Sequence, residues 1–291
     1  MTTFVKKLQE MEILITNDDG YKANGIHTLA RIMQKFGNVT VVAPKTHQSG
    51  MSTAVSLGLR QLAHKDLGII DGAHWHYLDA TPASCIKFAL NTCFLQRFPD
   101  IVISGINHGS NASVAAAYSG TLGAAEEATL NGIPAIGVSI DTHIPDIDLS
   151  AIEHIFPQIV EYLLENPSQR RGVYYNVNFP AIPEAEIKGI RSAHEGLGRW
   201  IKEFIPWDED ILQEHGIKYE MFGKHSIQSL EEGEEAWMMT GEFQNDPSNA
   251  PDADHLLVSR GYISVVAHNT FNTDMKEVLR LRANGFDRDF K

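Results

Sequence analysis

The chain has 291 residues, 43% of them apolar, and 37 acidic against 24 basic side chains give it a formal charge of −13. That length and apolar content suffice for one large domain with an appendage and exclude extensive disorder, while the negative charge excludes long nucleic acids, which are bound by neutralising many phosphates with Lys and Arg. No apolar run reaches the roughly 18 residues of a membrane span, and Met1-Thr2-Thr3-Phe4-Val5-Lys6-Lys7 lacks the apolar core of a secretion signal, so the expected location is cytoplasmic, with no membrane partner.

The first predicted element is a buried strand, Ile13-Leu14-Ile15, closed by the turn Asn17-Asp18-Asp19-Gly20. Open parallel sheets bind ligands at the carboxyl ends of their strands. A turn needs one acid, and the second adds repulsion that a cation offsets. Gly25 to Phe36 follows as a helix with Leu29, Ile32, Met33 and Phe36 on one face and Gly37 as its stop. A second strand, Val39 to Ala43, runs into Lys45-Thr46-His47-Gln48-Ser49-Gly50. Pro82 to Leu95 reads as a helix with Ile86, Ala89, Leu90, Cys93 and Phe94 on one side. Cys85 and Cys93 lie eight residues apart on it, too far along to bridge, and read as core thiols.

Asp100 to Ile103 is a third strand, running into Ser104-Gly105-Ile106-Asn107-His108-Gly109-Ser110-Asn111. Three strands thus end in loops of glycine and oxygen donors. As parallel neighbours they would bring Asp18, Asp19, Ser49 and Asn107 to one point. Ser119-Gly120-Thr121 precedes a small-residue helix, Leu122 to Ala128, whose N-terminus offers free amides and a positive dipole end between two hydroxyls, a candidate phosphate cradle. Ile133 to Ser139 reads as a strand, Leu149 to Leu164 as a helix interrupted near Pro157, and Val173 to Phe179 as another strand. The alternation predicts a Rossmann-like α/β fold, mainly parallel with helices on both faces. Beyond about Glu195 the period is lost, and mixed acidic and aromatic residues from Trp200 to Phe243 read as an accessory hairpin. The expected organisation is a core over 1–195, an excursion over 196–260, and a C-terminal strand and arm over 261–291.

The chain closely resembles the SurE family, the stationary-phase survival proteins that act as metal-dependent nucleotide phosphatases. The resemblance rests on Ile13-Leu14-Ile15-Thr16-Asn17-Asp18-Asp19-Gly20-Tyr21, on Val42-Ala43-Pro44 with Gln48-Ser49-Gly50, on Thr81-Pro82-Ala83, on Ile103-Ser104-Gly105-Ile106-Asn107, on Tyr118-Ser119-Gly120-Thr121 and on Gly132-Ile133-Pro134-Ala135-Ile136. Gly261-Tyr262-Ile263-Ser264-Val265 extends it. It implies that Asp18, Asp19, Ser49 and Asn107 hold one divalent ion per subunit, magnesium or manganese being suited to an all-oxygen set. It also places Asn111 on the substrate phosphate, beside the candidate cradle of Ser119, Gly120 and Thr121, and the chemistry expected of the site gives either aspartate the steering of the attacking water.

The implied substrates are nucleoside 5′-monophosphates, with 3′-monophosphates and short polyphosphate as side activities. The implied assembly is a homodimer or homotetramer that exchanges late-chain arms. The chain departs from the family pattern at Ala80 and Ser84, at Ala236-Trp237-Met238-Met239, and at Val266-Ala267-His268, where a threonine-proline pair is usual. His47 and His108 fall within the active loops but in no metal-ligand spacing, and read as facing solvent or standing behind the ligands. A signalling receiver domain also opens with an acid pair, yet it needs an aspartate where Ser104-Gly105-Ile106-Asn107 stands. No P-loop fingerprint is present. A regulator that binds a nucleotide without cleaving it would use these same loops.

Overall fold

The structure, a computed structural model, describes residues 11–58, 61–207 and 230–288. The leader reading on Met1 to Lys7 and residues 208–229 of the expected excursion lie outside them. In chain order the elements are β1 (Met11–Thr16), α1 (Asn24–Met33), β2 (Gly37–Pro44), β3 (His64–Ile70), β4 (Ala73–Leu78), α2 (Pro82–Thr92), β5 (Ile101–His108), a 3-10 segment (Ser113–Tyr118), α3 (Gly120–Leu130), β6 (Ala135–Ile140), α4 (Ser150–Glu165) and β7 (Val173–Phe179). Then come β8 (Ile190–Ala193), β9 (Gly198–Ile201), β10 (Phe204–Pro206), β11 (Trp237–Met239), β12 (Glu242–Asn245), α5 (Asp254–Ser259), β13 (Ile263–Asn269) and α6 (Met275–Ala283).

Nine strands form one sheet in the order β3-β4-β2-β1-β5-β6-β7-β13-β8. Every pairing from β4 to β7 is parallel, and only β3–β4 and β7–β13 run antiparallel. The expected Rossmann-like α/β architecture is what the chain adopts. β2 lies on one side of β1 and β5 on the other, so the connections leave β1 in opposite directions and open a crevice beyond its carboxyl end. Register fixes that crevice: Thr16, the last residue of β1, pairs with Ser104, three residues before Asn107.

The side-chain period of β1 explains its burial on both faces. Ile13 and Ile15 join Leu29 and Met33 of α1 and Phe156 of α4 in one apolar layer, while Leu14 joins Ile86 and Leu90 of α2 and Leu122 and Ala125 of α3 in the other. Thr81 caps α2, and its hydroxyl donates to Ala54 O at 2.6 Å. Ser84, one of the departures from the family pattern, accepts from Ser56 N at 2.7 Å, so it helps to tie the loop after β2 to α2.

Two local readings are corrected. α4 is one continuous helix through Pro157, because Ile152, Phe156, Ile159 and Val160 bury a continuous face that outweighs the lost backbone bond. α2 ends at Thr92, and Cys93 is exposed while Cys85 is buried. Eight steps of about 100° carry a side chain roughly 80° around the axis, off the apolar face at the helix end.

The hairpin β3–β4 has no counterpart among the elements read from the sequence. In the late chain, β9 pairs with β12 and β10 with β11, all antiparallel, so the segment runs out and back as a hairpin arm, with Trp200 set against Phe243 at 5.7 Å. Among the described residues no helix is long and apolar enough to cross a membrane.

Candidate active site

The turn after β1 is closed by Asn17, whose amide donates to Gly20 O at 3.0 Å and whose Oδ1 accepts from Gly20 N at 3.2 Å. Gly20 has φ +96°, which glycine adopts without strain. Asp18 is 3% exposed. Its Oδ1 accepts from the Thr121 hydroxyl at 2.7 Å, and its backbone oxygen accepts from Gln48 N at 2.7 Å, which ties the loop after β2 to the turn after β1. Gly120, at the start of α3, lies against this carboxylate: a β-carbon there would stand 3.1 Å from Oδ2. Burial, and then the neighbouring Asp19 charge, push the Asp18 carboxyl up to about 6, with the Thr121 bond pulling the other way.

Asp19 is held by two histidines. His108 donates its backbone N–H to Oδ2 at 3.2 Å and sets its ring Nδ1 3.1 Å from the same oxygen, while His47 Nδ1 is 3.3 Å from Oδ1. Burial pushes this carboxyl up, but the contacts from His108 and His47 outweigh it and hold Asp19 well below the usual carboxylate range. His47 continues to Ser49, whose Oγ is 2.6 Å from Nε2. The exposed Ser49 is therefore joined to Asp19 through an imidazole. Asn107, buried at the end of β5, donates its Nδ2 to Gly109 O at 2.7 Å, which fixes the amide and leaves Oδ1 for another partner.

The chemistry of this donor set fits a divalent cation. Two carboxylates on adjacent residues repel, and the buried one, Asp18, is driven toward protonation. A divalent ion would keep both ionised, and the surrounding serine and asparagine add only oxygen donors.

The residues expected on the substrate fall into two groups. Ser119 caps α3, its Oγ accepting from Leu122 N at 3.0 Å and its backbone oxygen from Gly123 N at 2.9 Å. The Thr121 hydroxyl is engaged with Asp18. Among the described residues no protein group accepts from the N–H groups of Gly120 and Thr121, which are first-turn amides without helical partners. Asn111 belongs to a separate buried amide network. Its backbone N–H donates to Asn178 Oδ1, its Nδ2 to Ser139 Oγ, and its backbone oxygen accepts from Asn176 Nδ2, each at 2.8 Å. The register of β5 on β6 sets Ser139 opposite Asn107, which places this network alongside the acidic turn.

The structure thus gathers Asp18, Asp19, Gly120 and Thr121 directly, brings in Ser49 through His47, and sets Asn107 next to His108. Sequence reasoning gave the two histidines no specific partner. Both press on Asp19, 17% and 9% exposed at the side chain. The signal was positional: His47 sits in the loop after β2 and His108 is the last residue of β5, the two strands flanking β1.

A family model described as "Survival protein SurE" matches residues 13–202. Curated relatives named "5′-nucleotidase SurE" include one from Cytophaga hutchinsonii, 37% identical and spanning 87% of this chain and 89% of its own. Another, from Flavobacterium johnsoniae, is 35% identical over 94% of this chain and 97% of its own. Among solved structures, the SurE protein from Aquifex aeolicus superposes with a TM-score of 0.72 at 25% identity, covering 95% of this chain and all of that one. With the acidic turn, the loops after β2 and β5 and the start of α3 all inside the matched region, the chain belongs to the SurE family.

Proposed function

We propose that the chain is a divalent-metal-dependent 5′-nucleotidase that hydrolyses nucleoside 5′-monophosphates to nucleoside and phosphate. The observation that carries this reading is the pair of buried Asp18 and part-buried Asp19 set against two first-turn amides without a partner among the described residues, since it offers one place for a cation and an adjacent place for an anion. The naming of the Cytophaga and Flavobacterium relatives as 5′-nucleotidases supports the same substrate class.

Asp18, Asp19, Ser49 and Asn107 would hold one ion, and the all-oxygen set favours magnesium or manganese. When bound, the ion supplies Lewis-acid neutralisation of the phosphate charge. The amides of Gly120 and Thr121, with the positive end of α3, receive phosphate oxygens. Thr121, His47 and His108 hold the carboxylates in place, and an aspartate oxygen orients the water for in-line attack. A new O–P bond forms from water, the P–O5′ bond breaks, and the departing nucleoside oxygen takes up a proton.

In the same reading 3′-monophosphates and short polyphosphate are secondary substrates, Asn111 braces the phosphate side of the site, and the enzyme works in the cytoplasm. The arm exposes Phe204, Trp237 and Met239, apolar surface that suits association into a homodimer or homotetramer.

The test is phosphate release from a panel of 5′- and 3′-nucleoside monophosphates at neutral pH, with magnesium, with manganese or with chelator. Turnover abolished by chelator and by Asp19→Ala, with the circular dichroism spectrum unchanged, is the expected result. Metal binding without turnover on any substrate would replace the nucleotidase with a regulator that binds nucleotides without cleaving them.

A further inference from the structure

A second concentration of metal-binding side chains lies on the edge hairpin, away from the acidic turn. Strand alternation puts His64 and Asp66 on one face of β3 and His74 and His76 on one face of β4. The antiparallel register sets Asp66 opposite His76, and a bulge between Asp66 and Gly68 shifts the pairing so that Ile69 faces His74. The shift draws His74 to Asp66, with Nε2 2.9 Å from Oδ1. His76 Nδ1 lies 3.9 Å from the same oxygen and 3.3 Å from His64 Nε2. One donor atom each from Asp66, His74 and His76 falls within 4.8 Å of the other two. The His64 ring is braced from the far side by Phe88 of α2, 4.7 Å away.

Two observations separate this cluster from an ordinary polar edge. His76 is 5% exposed, and among the described residues its Nδ1 meets only the cluster, His64 Nε2 at 3.3 Å and Asp66 Oδ1 at 3.9 Å. Burying an imidazole with so little polar compensation is costly unless something else engages the ring. The spacing is also that of a coordination shell. Ligands at 2.0–2.1 Å around a tetrahedral ion stand about 3.3 Å from one another, and the separations of 2.9 and 3.9 Å from Asp66 Oδ1 to His74 and His76 bracket that value.

We propose that Asp66, His74 and His76 form a three-ligand binding site, with its fourth position open to solvent, for a zinc-class transition-metal ion that pins the edge strand β3 to β4. Two imidazoles and one carboxylate suit zinc, cobalt or nickel, whereas magnesium and calcium take oxygen ligands. The protein would therefore separate its ions by chemistry, an oxygen set at the acidic turn and a nitrogen-rich set at the hairpin. The ion's structural effect follows from position. β3 is the terminal strand of the sheet and its residues are largely exposed, and a metal bridging two strands fastens an edge that backbone pairing holds from one side only. His74 and Asp66 are open to solvent and the buried His76 lies behind them, which gives the ion a way in.

The inference does not rest on the nucleotidase reading and is tested without turnover. Chelator-stripped protein is titrated with zinc by calorimetry, and with cobalt(II) while the visible absorption of a four-coordinate nitrogen–oxygen site is followed. Both titrations are repeated in Asp19→Ala, His74→Ala and Asp66→Asn. The expected result is one zinc equivalent per chain that raises the melting temperature, persists in Asp19→Ala, and weakens by roughly 100-fold in His74→Ala, since even partners behind the ligands cost 10–100-fold. Asp66→Asn, an exposed and nearly isosteric change, carries the same expectation if His74→Ala fails the folding check by circular dichroism. Equal zinc affinity in parent and hairpin variants would overturn the site. So would a parent that binds no zinc at about millimolar concentration, which would leave a hydrogen-bonded histidine cluster.

Discussion

Gly120→Ala sets two known effects against each other at the start of α3. A β-carbon at this position would lie 2.9 Å from Asp18 Cβ, 3.1 Å from Asp18 Oδ2 and 3.2 Å from the backbone oxygen of Gln48. None of these yields easily: Thr121 pins the carboxylate at 2.7 Å, and Gln48 is tied to Asp18 through its own N–H. Overpacking of this kind costs about 1–3 kcal/mol, and alanine returns about 0.5–1 kcal/mol in a helix interior, less in the first turn. The net loss of stability is therefore about 0–2.5 kcal/mol, a fall of a few degrees in melting temperature for a chain of this size. The effect on catalysis is larger, because the contact is relieved only by moving the Asp18 carboxylate or the loop that carries His47 and Ser49. Misplacement of a positioned group by about 1 Å costs about 100-fold, so kcat/KM is expected to fall by roughly 10- to 100-fold while the fold survives. The assay pairs magnesium-supported phosphate release with thermal melting on the same preparation. Turnover within about twofold of the parent would refute the placement of Asp18 at the reacting centre, because the space for that methyl group would then not be occupied by anything the chemistry needs.

Thr121→Val keeps the shape and removes the donor to Asp18; a hydrogen bond to a charged group contributes about 1.5–3 kcal/mol, so denaturant melts should show a loss in that range and Thr121→Ser should restore it. Asp254 is fully buried and accepts from Ser113 N at 2.9 Å, Gly196 N at 3.0 Å and His255 N at 2.8 Å. Asp254→Asn turns one acceptor into a donor facing an N–H and should cost about 2–3 kcal/mol; an unchanged urea midpoint would contradict it. Burial pushes the imidazoles of His27 and His268 below their ordinary value of 6.5. The unfolded chain then takes up protons at higher pH than the folded one, so their contribution is complete above that value and is lost as the pH falls below it. Melting temperature should decline on acidification through this range, and His268→Gln should flatten the decline.

The parts of the fold that were legible in the sequence are those whose period is self-sufficient. Ile13-Leu14-Ile15 and Asp100 to Ile103 are short, apolar and bounded, and α1 shows its buried face at Leu29, Ile32 and Met33. The hairpin β3–β4 was not legible, because His64, Lys65, Asp66, His74 and His76 put polar groups on positions that a half-buried strand fills with aliphatic side chains. Pro157 misled because local propensity charges the helix for a missing N–H, while the face made by Ile152, Phe156 and Val160 is tertiary. At the site, the acidic turn announces itself by two adjacent charges. The grip of His108 on Asp19 spans 89 residues and that of Thr121 on Asp18 spans 103, and no window of sequence contains either pair. Asn111 is the subtlest case: its loop marks it as a donor, and only the placement of Ser139 on β6 shows that its Nδ2 is already in use, while Asn176 and Asn178 on β7 hold its backbone.

Those long separations bear on how the molecule acquires its activity. α1 and α2 are built from contacts within a dozen residues, and a refolding chain can recover their ellipticity early. On the proposed function, the acidic turn becomes a working site only when β2, β1 and β5 are in register and α3 has docked its first turn against Asp18. Regained turnover should therefore trail regained helicity in a stopped-flow experiment, so that for this protein the onset of catalysis marks the completion of the sheet.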